Sequence, residues 1–383
     1  MKKSLAVIFG GHSCEHDVSI ITGLQALDNA DTEKYDLTPI YVSRSGEWYT
    51  GEGLRDVKIY RDFDNNRKGL TRAFLDQDGL REVQSKAFAK PKVYPIDVVI
   101  PAIHGMNGED GTIQGLFEMC GVPYTSAGVA GSAVGMDKIV MKRVFRGCNF
   151  PVLDDYAAER AAFERNRVKV LDSIEQSLTY PLFIKPANLG SSIGISKATD
   201  RESLTFALEV AFRYDRRVLV EQAVTELMEI NCSCLGYGSE VEASVCEMPV
   251  SWEEFLSFDD KYMRGGKGGS KGMGSLSRKI PAPISDELTA EIQELSKQIF
   301  MALDCKGVVR IDYLYDKAQE KLFIGEINTV PGSFSFYLWE PMGISFRQLI
   351  DRLVDIAFKA QRDKDMNCFA FDSAILNKPS ISK

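Results

Sequence analysis

Residues 307–330 read GVVRIDYLYDKAQEKLFIGEINTV, and this stretch decides how the chain folds. Two runs rich in apolar and β-branched residues flank the polar turn KAQE, which predicts two strands joined as a hairpin. Side chains two residues apart on a strand share a face, so Arg310 lies beside Asp312, and Glu326 lies beside Asn328. If the strands pair with these faces aligned, two carboxylates and an amide oxygen converge next to an arginine.

This polar face has two interpretations. Carboxylate and amide oxygens are the hard ligands that Mg²⁺ takes, usually with phosphate oxygens completing its shell. The alternative is a solvated face crossed by a surface ion pair. The apolar positions Val309, Ile311 and Ile327 favour a buried strand pair, and the polar face carries no lysine. The residues alone leave both interpretations open.

The stretch FIKPANLGSSIGISK, residues 183–197, resembles a phosphate loop with its parts in reverse order. In the usual loop, glycines cradle a polyphosphate and a lysine follows them at a helix start. Here Lys185 comes first, inside a predicted strand, and the Gly-Ser-Ser-x-Gly segment follows. The stretch either holds a nucleotide or forms a tight turn between two strands.

Two further loops follow predicted buried strands, where open α/β sheets bind ligands. In GGHSCEHDVS, residues 10–19, Glu15 is a carboxylate at which an amine could dock, although a lone acid there is more often a helix cap. In HGMNGEDGTIQG, residues 104–115, the acids Glu109 and Asp110 are better explained as helix capping than as catalytic groups. The G-x-G-x-x-G pattern of dinucleotide sites is absent.

Composition limits the functional classes. With 383 residues, 44% hydrophobic and 26% charged, the chain has the composition of a globular protein with two or three domains. A formal net charge of −8 argues against nucleic-acid and anionic-membrane partners. The three histidines and the absence of a Cys-x-x-Cys pair argue against zinc, and the scattered cysteines indicate a reduced compartment. We therefore expect a cytoplasmic protein with no membrane-spanning segment.

The order of elements predicts an α/β protein with three α/β domains, the first a doubly wound parallel sheet. We assign residues 1–126 to this N-terminal domain, with an insertion near 44–92, then 127–220 and 221–365 to two further domains, and 366–383 to a tail. The sequence GSAVGMDKIVMKRVFRG, residues 131–147, is predicted to be helical. The glycine-rich basic segment at 259–279 is either a flexible linker or a lid over an anion.

Seven motifs occur in order: GGHSCEHDVS, HGMNGEDGTIQG, MDK (136–138), FIKPANLGSSIG, VEQAV (220–224), GVVRIDYLY and GEINTVPG. Together they resemble the D-alanine–D-alanine ligases, a family of the ATP-grasp superfamily, over about residues 4–360. Each motif is weak alone, and their order and spacing give the resemblance its weight. Residues 44–92 and the tail are not covered by it.

The resemblance implies that the second and third domains form a two-domain ATP-grasp fold, with ATP held between two antiparallel sheets. The residues that it assigns to ATP are Lys138, Lys185, Ser192, Glu221, Val224 and Glu229. It assigns two Mg²⁺ ions, for which Mn²⁺ can substitute, to Asp312, Glu326 and Asn328. The small-molecule partners would be ATP and D-alanine, and a homodimer is the family expectation.

The resemblance also implies ligation of two D-alanine molecules through an acyl phosphate, for peptidoglycan precursor synthesis. Lys261 would neutralise the transferring phosphoryl group, and Arg310 with a backbone N–H near Gly332 would stabilise the oxyanion. Arg310 and the backbone near Gly332 would also bind the second substrate. The ammonium of the first amino acid would meet Glu15, with Ser191 and Tyr262 close by. His104 would lie near substrate or phosphate.

The chain departs from the family pattern after EINTVPG, where SFSFYLWEPMG appears about four residues shorter. Candidate replacements for the family's acceptor-carboxylate serine are Ser333, Ser335 and Tyr337. The lid segment is also more glycine-rich and basic than we expect. A related ligase that joins D-alanine to D-serine, D-lactate or another amino acid would keep every motif. A non-catalytic nucleotide-binding protein is the remaining alternative.

Overall fold

The computed structural model describes residues 2–83, 92–249 and 278–368. Its N-terminal part alternates strands and helices around one sheet. In chain order these elements are β1 (Lys3–Gly10), α1 (His16–Asn29), β2 (Tyr35–Val42), β3 (Trp48–Thr50), α2 (Phe63–Asn66), β4 (Thr71–Asp76), β5 (Gly79–Glu82), β6 (Val93–Tyr94), β7 (Val98–Pro101) and α3 (Thr112–Cys120). Residues 5–9 of β1 have no exposed surface, which explains their unbroken apolar run.

The N-terminal sheet has the strand order β6-β5-β4-β3-β2-β1-β7. Strand β1 pairs in parallel with both β2 and β7, as the predicted doubly wound core requires. The predicted insertion does not stand apart from this core. Its strands β3, β4 and β5 extend the same sheet, and each pairing from β2 to β6 is antiparallel.

A second group of elements surrounds a four-stranded antiparallel sheet of order β10-β9-β11-β8. The elements are α4 (Val129–Met136), α5 (Lys138–Gly147), β8 (Asp155–Glu159), α6 (Arg160–Arg165), α7 (Arg167–Ser177), β9 (Leu182–Pro186), β10 (Ser196–Ala198), α8 (Arg201–Tyr214) and β11 (Arg217–Gln222). The helical stretch expected at 131–147 is divided at Asp137, whose carboxylate accepts the backbone N–H groups of Ile139 and Val140 at 3.1 Å. This new N-cap makes Lys138 the first residue of α5.

The remaining elements build a five-stranded antiparallel sheet of order β14-β13-β12-β15-β16. They are β12 (Leu227–Tyr237), β13 (Glu240–Pro249), β14 (Arg278–Lys279), α9 (Asp286–Ala302), β15 (Lys306–Asp316), β16 (Lys321–Asn328) and α10 (Phe346–Asp365). The predicted hairpin is β15 and β16, in which Asp312 pairs with Glu326, and Arg310 pairs with Asn328. The aligned register required by the sequence argument is therefore present.

Buried apolar clusters connect these sheets. Leu349 and Leu353 of α10 share a cluster with Leu5 and Val7 of β1, so the last helix packs against the first strand. Met141 of α5 belongs to the core of the five-stranded sheet, although α5 precedes the four-stranded sheet in the chain. Within the described residues, no helix combines the length and apolar character that crossing a bilayer requires.

Candidate active site between two antiparallel sheets

A cavity of about 430 Å³ lies between the four-stranded and five-stranded sheets. It gathers most of the residues that the sequence assigned to nucleotide and metal. Those that line it are Lys138, Lys185, Ser192, Val224, Glu229, Asp312 and Glu326. Residues far apart in the chain thus share one cavity, and its walls are two antiparallel sheets as the resemblance implied.

The β15–β16 hairpin forms the acidic wall of this cavity. Asp312 accepts two hydrogen bonds from Arg310, at 2.6 and 2.7 Å, and a third from the Asn328 side-chain amide at 3.0 Å. Glu326 lies 3.0 Å from the Lys138 ammonium. Burial alone would lower the pKa of Arg310. The charge of Asp312 and its hydrogen bonds outweigh burial and raise the pKa of Arg310 above its usual value. On this hairpin, each of the two carboxylates thus lies beside a cationic side chain.

The donor set of this wall fits a divalent cation that also binds phosphate. Within the described ranges, no group of three or more His, Cys, Asp or Glu side chains is placed to hold a metal. Asp312 and Glu326 oppose each other on neighbouring strands, so the protein supplies two carboxylates and the Asn328 amide. Mg²⁺ is typically bound by one or two carboxylates together with substrate phosphates, which matches this incomplete set.

Lys185, which lines the cavity, belongs to a trio of charged side chains with Glu221 and Lys142. Neither Lys142 nor this pairing was predicted from the sequence. Both oxygens of Glu221 are engaged, one by the ammonium of Lys142 and the other by that of Lys185. Lys142 has no exposed surface and also donates to the carbonyl of Leu153 at 3.2 Å. Burial would raise the pKa of Glu221, but the two lysines lower it to about 2. This carboxylate therefore stays charged and neutralises lysines.

The two lysines of the trio respond differently to burial. Burial lowers the pKa of Lys142, and Glu221 only partly offsets the effect. Burial would also lower the pKa of Lys185, but the negative charges of Glu221 and Glu326 outweigh it and raise this pKa. Lys185 thus keeps its proton at neutral pH. The one signal for Lys142 in the sequence is its position four residues after Lys138, on the same side of α5.

The predicted ammonium site joins the N-terminal loop to the Gly-Ser loop. Glu15 occupies the N-cap position of α1, but its side chain makes no capping bond. Its carboxylate instead accepts a hydrogen bond from Ser191. A Cβ added at Gly190 would lie 2.8 Å from a Glu15 oxygen, so only glycine fits beside the carboxylate. Burial, followed by the charge of Glu109, raises the pKa of Glu15.

A small cavity of about 30 Å³ connects this carboxylate to the acidic wall, with Glu15, Lys138, Glu326 and Asn328 among its lining residues. His104 lies behind it and is 3% exposed. Its Nε2 is 2.8 Å from the Thr22 hydroxyl, and its Nδ1 is 3.4 Å from Glu109. The structure thus places His104 beside the loop rather than on the open surface.

The N-cap residue of α3 is Gly111, and of the two acids interpreted as helix caps only Asp110 bonds to the start of this helix. Asp110 accepts the N–H of Thr112 at 3.0 Å, at the start of α3. Glu109 accepts the N–H of Gly105 at 3.0 Å and that of Val330 at 3.2 Å. It therefore ties the loop after β7 to the segment that follows the β15–β16 hairpin, a long-range contact with no sequence signal.

The segment after the hairpin, residues 332–338, is a tight helical turn with an unusual backbone. Ser333, Phe334 and Ser335 have φ angles of 52°, 53° and 50°, in the left-handed region. The Ser333 hydroxyl donates to Gln25 at 2.6 Å, and the buried Ser335 hydroxyl has no hydrogen-bond partner within the described chain. Tyr337 donates to Glu247 at 3.3 Å. The three proposed replacements for the acceptor serine thus have different surroundings.

Two of the predicted catalytic residues, Lys261 and Tyr262, lie outside the described residues, as does most of the glycine-rich segment that contains them. Their roles stay predictions. Among the described residues, the sequence analysis missed Asn231 and Glu247, which extend the acidic wall across the sheet. Asn231 pairs with Asp312 on one side and with Glu247 on the other. The alternation of Glu229, Asn231 and Ser233 along β12 is the signal that could have found Asn231.

Two family models and several curated proteins are similar to this chain. Residues 4–127 match the family described as D-ala D-ala ligase N-terminus, and residues 144–355 match D-ala D-ala ligase C-terminus. A D-alanine–D-alanine ligase from Heliobacterium modesticaldum is 41% identical over 379 residues, which cover 96% of this chain and 98% of the relative. One from Ruminiclostridium cellulolyticum is 40% identical, covering 94% and 97%.

Solved structures of the same fold are also similar. The D-alanine–D-alanine ligase of Coxiella burnetii has a TM-score of 0.77 and 26% identity, covering 95% of this chain and 97% of that one. The VanG D-Ala:D-Ser ligase of Enterococcus faecalis has a TM-score of 0.77 and 31% identity, covering 93% and 100%. Both domain families, the length of the matches and the fold agree, and the chain therefore belongs to the D-alanine–D-alanine ligase family, within the ATP-grasp fold.

Proposed function

We propose that this enzyme joins two molecules of D-alanine at the expense of ATP, giving D-alanyl-D-alanine for peptidoglycan precursors. The observation that carries the proposal is the cavity that unites Lys138 and Lys185 with Asp312 and Glu326. Cations on one wall suit the phosphates of ATP, and carboxylates on the other suit a divalent cation. The first amino acid would enter beside Glu15, at the small cavity adjoining this wall.

The reaction needs activation because a carboxylate is a poor electrophile. A carboxylate oxygen of the first D-alanine attacks the γ-phosphorus of ATP, the bond to the bridging oxygen breaks, and ADP leaves. The neutral amine of the second D-alanine then attacks the carbonyl carbon of the acyl phosphate. The tetrahedral intermediate collapses with loss of inorganic phosphate, and the amine nitrogen loses its remaining extra proton. One ATP is consumed for each peptide bond.

Side chains and backbone groups of the protein act at successive steps of this reaction. Lys138 and Lys185 present ammonium charges to the transferring phosphoryl group. Asp312, Glu326 and Asn328 would hold a divalent cation that, when bound, neutralises phosphate charge. We propose two Mg²⁺ ions, replaceable by Mn²⁺. Arg310 and the backbone near Gly332 would stabilise the oxyanion of the tetrahedral intermediate. Closure of the site excludes water, which would otherwise hydrolyse the acyl phosphate.

The assay for this function is phosphate release from ATP in the presence of Mg²⁺ and D-alanine, with the product identified by mass spectrometry. We expect D-alanyl-D-alanine and one phosphate for each dipeptide. D-serine and D-lactate, added at limiting D-alanine, test the alternative acceptors. Release with an L-amino acid but with no D-amino acid would refute the substrate assignment. Tight ATP binding without any release would instead favour a non-catalytic nucleotide-binding protein.

A substitution tests the nucleotide wall. We expect Lys185→Ala to weaken ATP binding by about tenfold to a hundredfold, because a charge-assisted hydrogen bond contributes about 1.5–3 kcal/mol. Glu221 keeps Lys142 as its partner, so the fold should persist. Calorimetric titration with a non-hydrolysable ATP analogue measures the change, and Lys169→Ala, on the exposed side of α7, is the control. Unchanged nucleotide affinity in Lys185→Ala would make this lysine structural only.

Two further proposals concern the oligomeric state and the compartment of the protein. A homodimer is our proposal from the family, and sedimentation of the purified full chain tests it. We also propose a cytoplasmic location, since ATP and the small-molecule substrates are used there.

A further inference from the structure

A row of polar side chains crosses the five-stranded sheet well beyond the predicted metal ligands. Glu247 on β13 pairs with Asn231 on β12, Asn231 pairs with Asp312 on β15, and Asp312 pairs with Glu326 on β16. Directly opposed residues of a sheet project to the same face, so the four side chains form one continuous row. The end of the row at Glu247 takes no part in the reaction as described above.

Glu247 at this end is the common acceptor of a hydrogen-bond network. It is 2% exposed and accepts hydrogen bonds from Asn231 at 2.9 Å, Arg278 at 3.0 Å and Tyr337 at 3.3 Å. The side chains of Arg278 and Glu247 are 9% and 3% exposed, so their ion pair is largely shielded from water. The Arg278 guanidinium also lies 4.0 Å from the centre of the Tyr337 ring. Charge and stacking therefore hold Tyr337 at two points.

This network adjoins the side of the site assigned to the second substrate. Tyr337 belongs to the turn that begins at Gly332 and packs against β12, β13 and β15. Next along the chain, Trp339 donates to the Ser233 hydroxyl at 3.2 Å, and Ser233 is paired in the sheet with Arg310. Burial, followed by Glu247, raises the pKa of Tyr337, and the charges of Arg310 and Arg278 oppose that rise. The charges of both guanidinium groups therefore act on Tyr337.

The backbone conformation of the turn explains why Tyr337 has to be held in place. Each non-glycine residue in the left-handed region costs about 1–3 kcal/mol and persists only where its surroundings enforce that conformation. Three such residues follow one another at 333–335. The ring of Tyr337 and the indole of Trp339 anchor the end of this turn. Loosening that anchor would let the turn, and with it the backbone near Gly332, move relative to Arg310.

We propose that Arg278 is a positioning residue for the acceptor: through Glu247 and Tyr337 it fixes the Gly332 turn beside Arg310, where the carboxylate of a small D-amino acid binds. This inference rests on the proposed function and deepens it. It assigns acceptor recognition to a network on β13, β14 and the turn, none of which touches the ATP cavity. Acceptor binding and nucleotide binding should therefore be separable by mutation.

The test compares Arg278→Met and Arg278→Lys with the wild type. We expect Arg278→Met to raise the KM for the acceptor about tenfold, the equivalent of about 1.4 kcal/mol, while the KM for ATP stays within twofold. Arg278→Lys should recover part of the loss, since lysine can pair with Glu247 but cannot stack a planar group on Tyr337. Arg352→Met is the matched control, because Arg352 pairs with Glu242 of the same strand β13 but is exposed.

A second readout isolates the first half of the reaction. Hydroxylamine attacks the carbonyl of the acyl phosphate, releases phosphate and leaves a hydroxamate, so it reports donor activation without the second D-alanine. We expect hydroxamate formation by Arg278→Met to match the wild type. A uniform fall in hydroxamate, ATP affinity and ligation would show that Arg278 is merely structural and would overturn the inference.

Tyr337→Phe keeps the inference testable even where Arg278→Met does not fold. It removes only the hydroxyl that donates to Glu247, and we expect the same acceptor-selective rise in KM. In the double variant the two effects should not add, because both act through one contact. An unchanged acceptor KM in Tyr337→Phe overturns the inference. If the wild type releases no phosphate with D-alanine, the proposed function is refuted. This inference, which rests on that function, is then refuted as well.

Discussion

Glu326→Gln should lower the ligation rate by about three orders of magnitude, a loss of about 4 kcal/mol of transition-state stabilisation, with the fold intact. Glutamine has nearly the same shape but lacks the negative charge with which a carboxylate strengthens the binding of a divalent cation. Glu326 and Asp312 are the two carboxylates that oppose each other on the hairpin, so the change removes one of two. Steady-state phosphate release at saturating substrates measures the rate.

The loss should appear in metal binding as well as in turnover. Binding of Mn²⁺ in the presence of a non-hydrolysable ATP analogue, followed by electron paramagnetic resonance, should weaken in Glu326→Gln. Glu320→Gln is the matched control, since Glu320 lies in the exposed turn of the same hairpin. Near-normal turnover of Glu326→Gln at low Mg²⁺ would show that the metal site has been placed wrongly.

The acidic wall was predictable because its information is local. Alternation predicts which side chains of each strand share a face, and a short polar turn predicts the hairpin. The pairing of Asp312 with Glu326 also requires a β-bulge between Asp312 and Tyr313, which the alternation does not indicate. The order of the seven motifs supplied the rest of the cavity, including Lys138 and Lys185. Where position in a strand or loop determines a side chain's neighbours, the sequence was sufficient.

The contacts that the sequence could not supply join residues distant in the chain. Nothing near Lys142 indicates that its partner is Glu221, and nothing near Glu109 indicates a bond to Val330. The division of the helical stretch at Asp137 was hidden for a related reason, because the apolar pattern continues across it. Such features depend on how separately predicted elements pack together, which periodicity does not encode.

The trio of Lys142, Glu221 and Lys185 leads to the largest expected change in stability. We expect Glu221→Gln to destabilise the protein by about 3–5 kcal/mol, because it leaves the fully buried Lys142 without its paired carboxylate and removes the ion-pair partner of Lys185. Denaturant unfolding of the full chain, followed by circular dichroism, measures the difference. Glu226→Gln, an exposed position close by in the sequence, is the control and should stay near the wild type.

The difference in stability between the wild type and Glu221→Gln should also depend on pH, with a definite sign. The lysines lower the pKa of Glu221 from 4.5 to about 2, so the folded state prefers the charged carboxylate. Its stabilisation is complete above about pH 4.5 and is lost as the pH falls toward about 2, a contribution of about 3 kcal/mol. Comparing the two proteins at each pH cancels the titration of the other carboxylates. A difference that stays constant from pH 7 down to pH 3 would show that packing, rather than charge, makes Glu221 necessary.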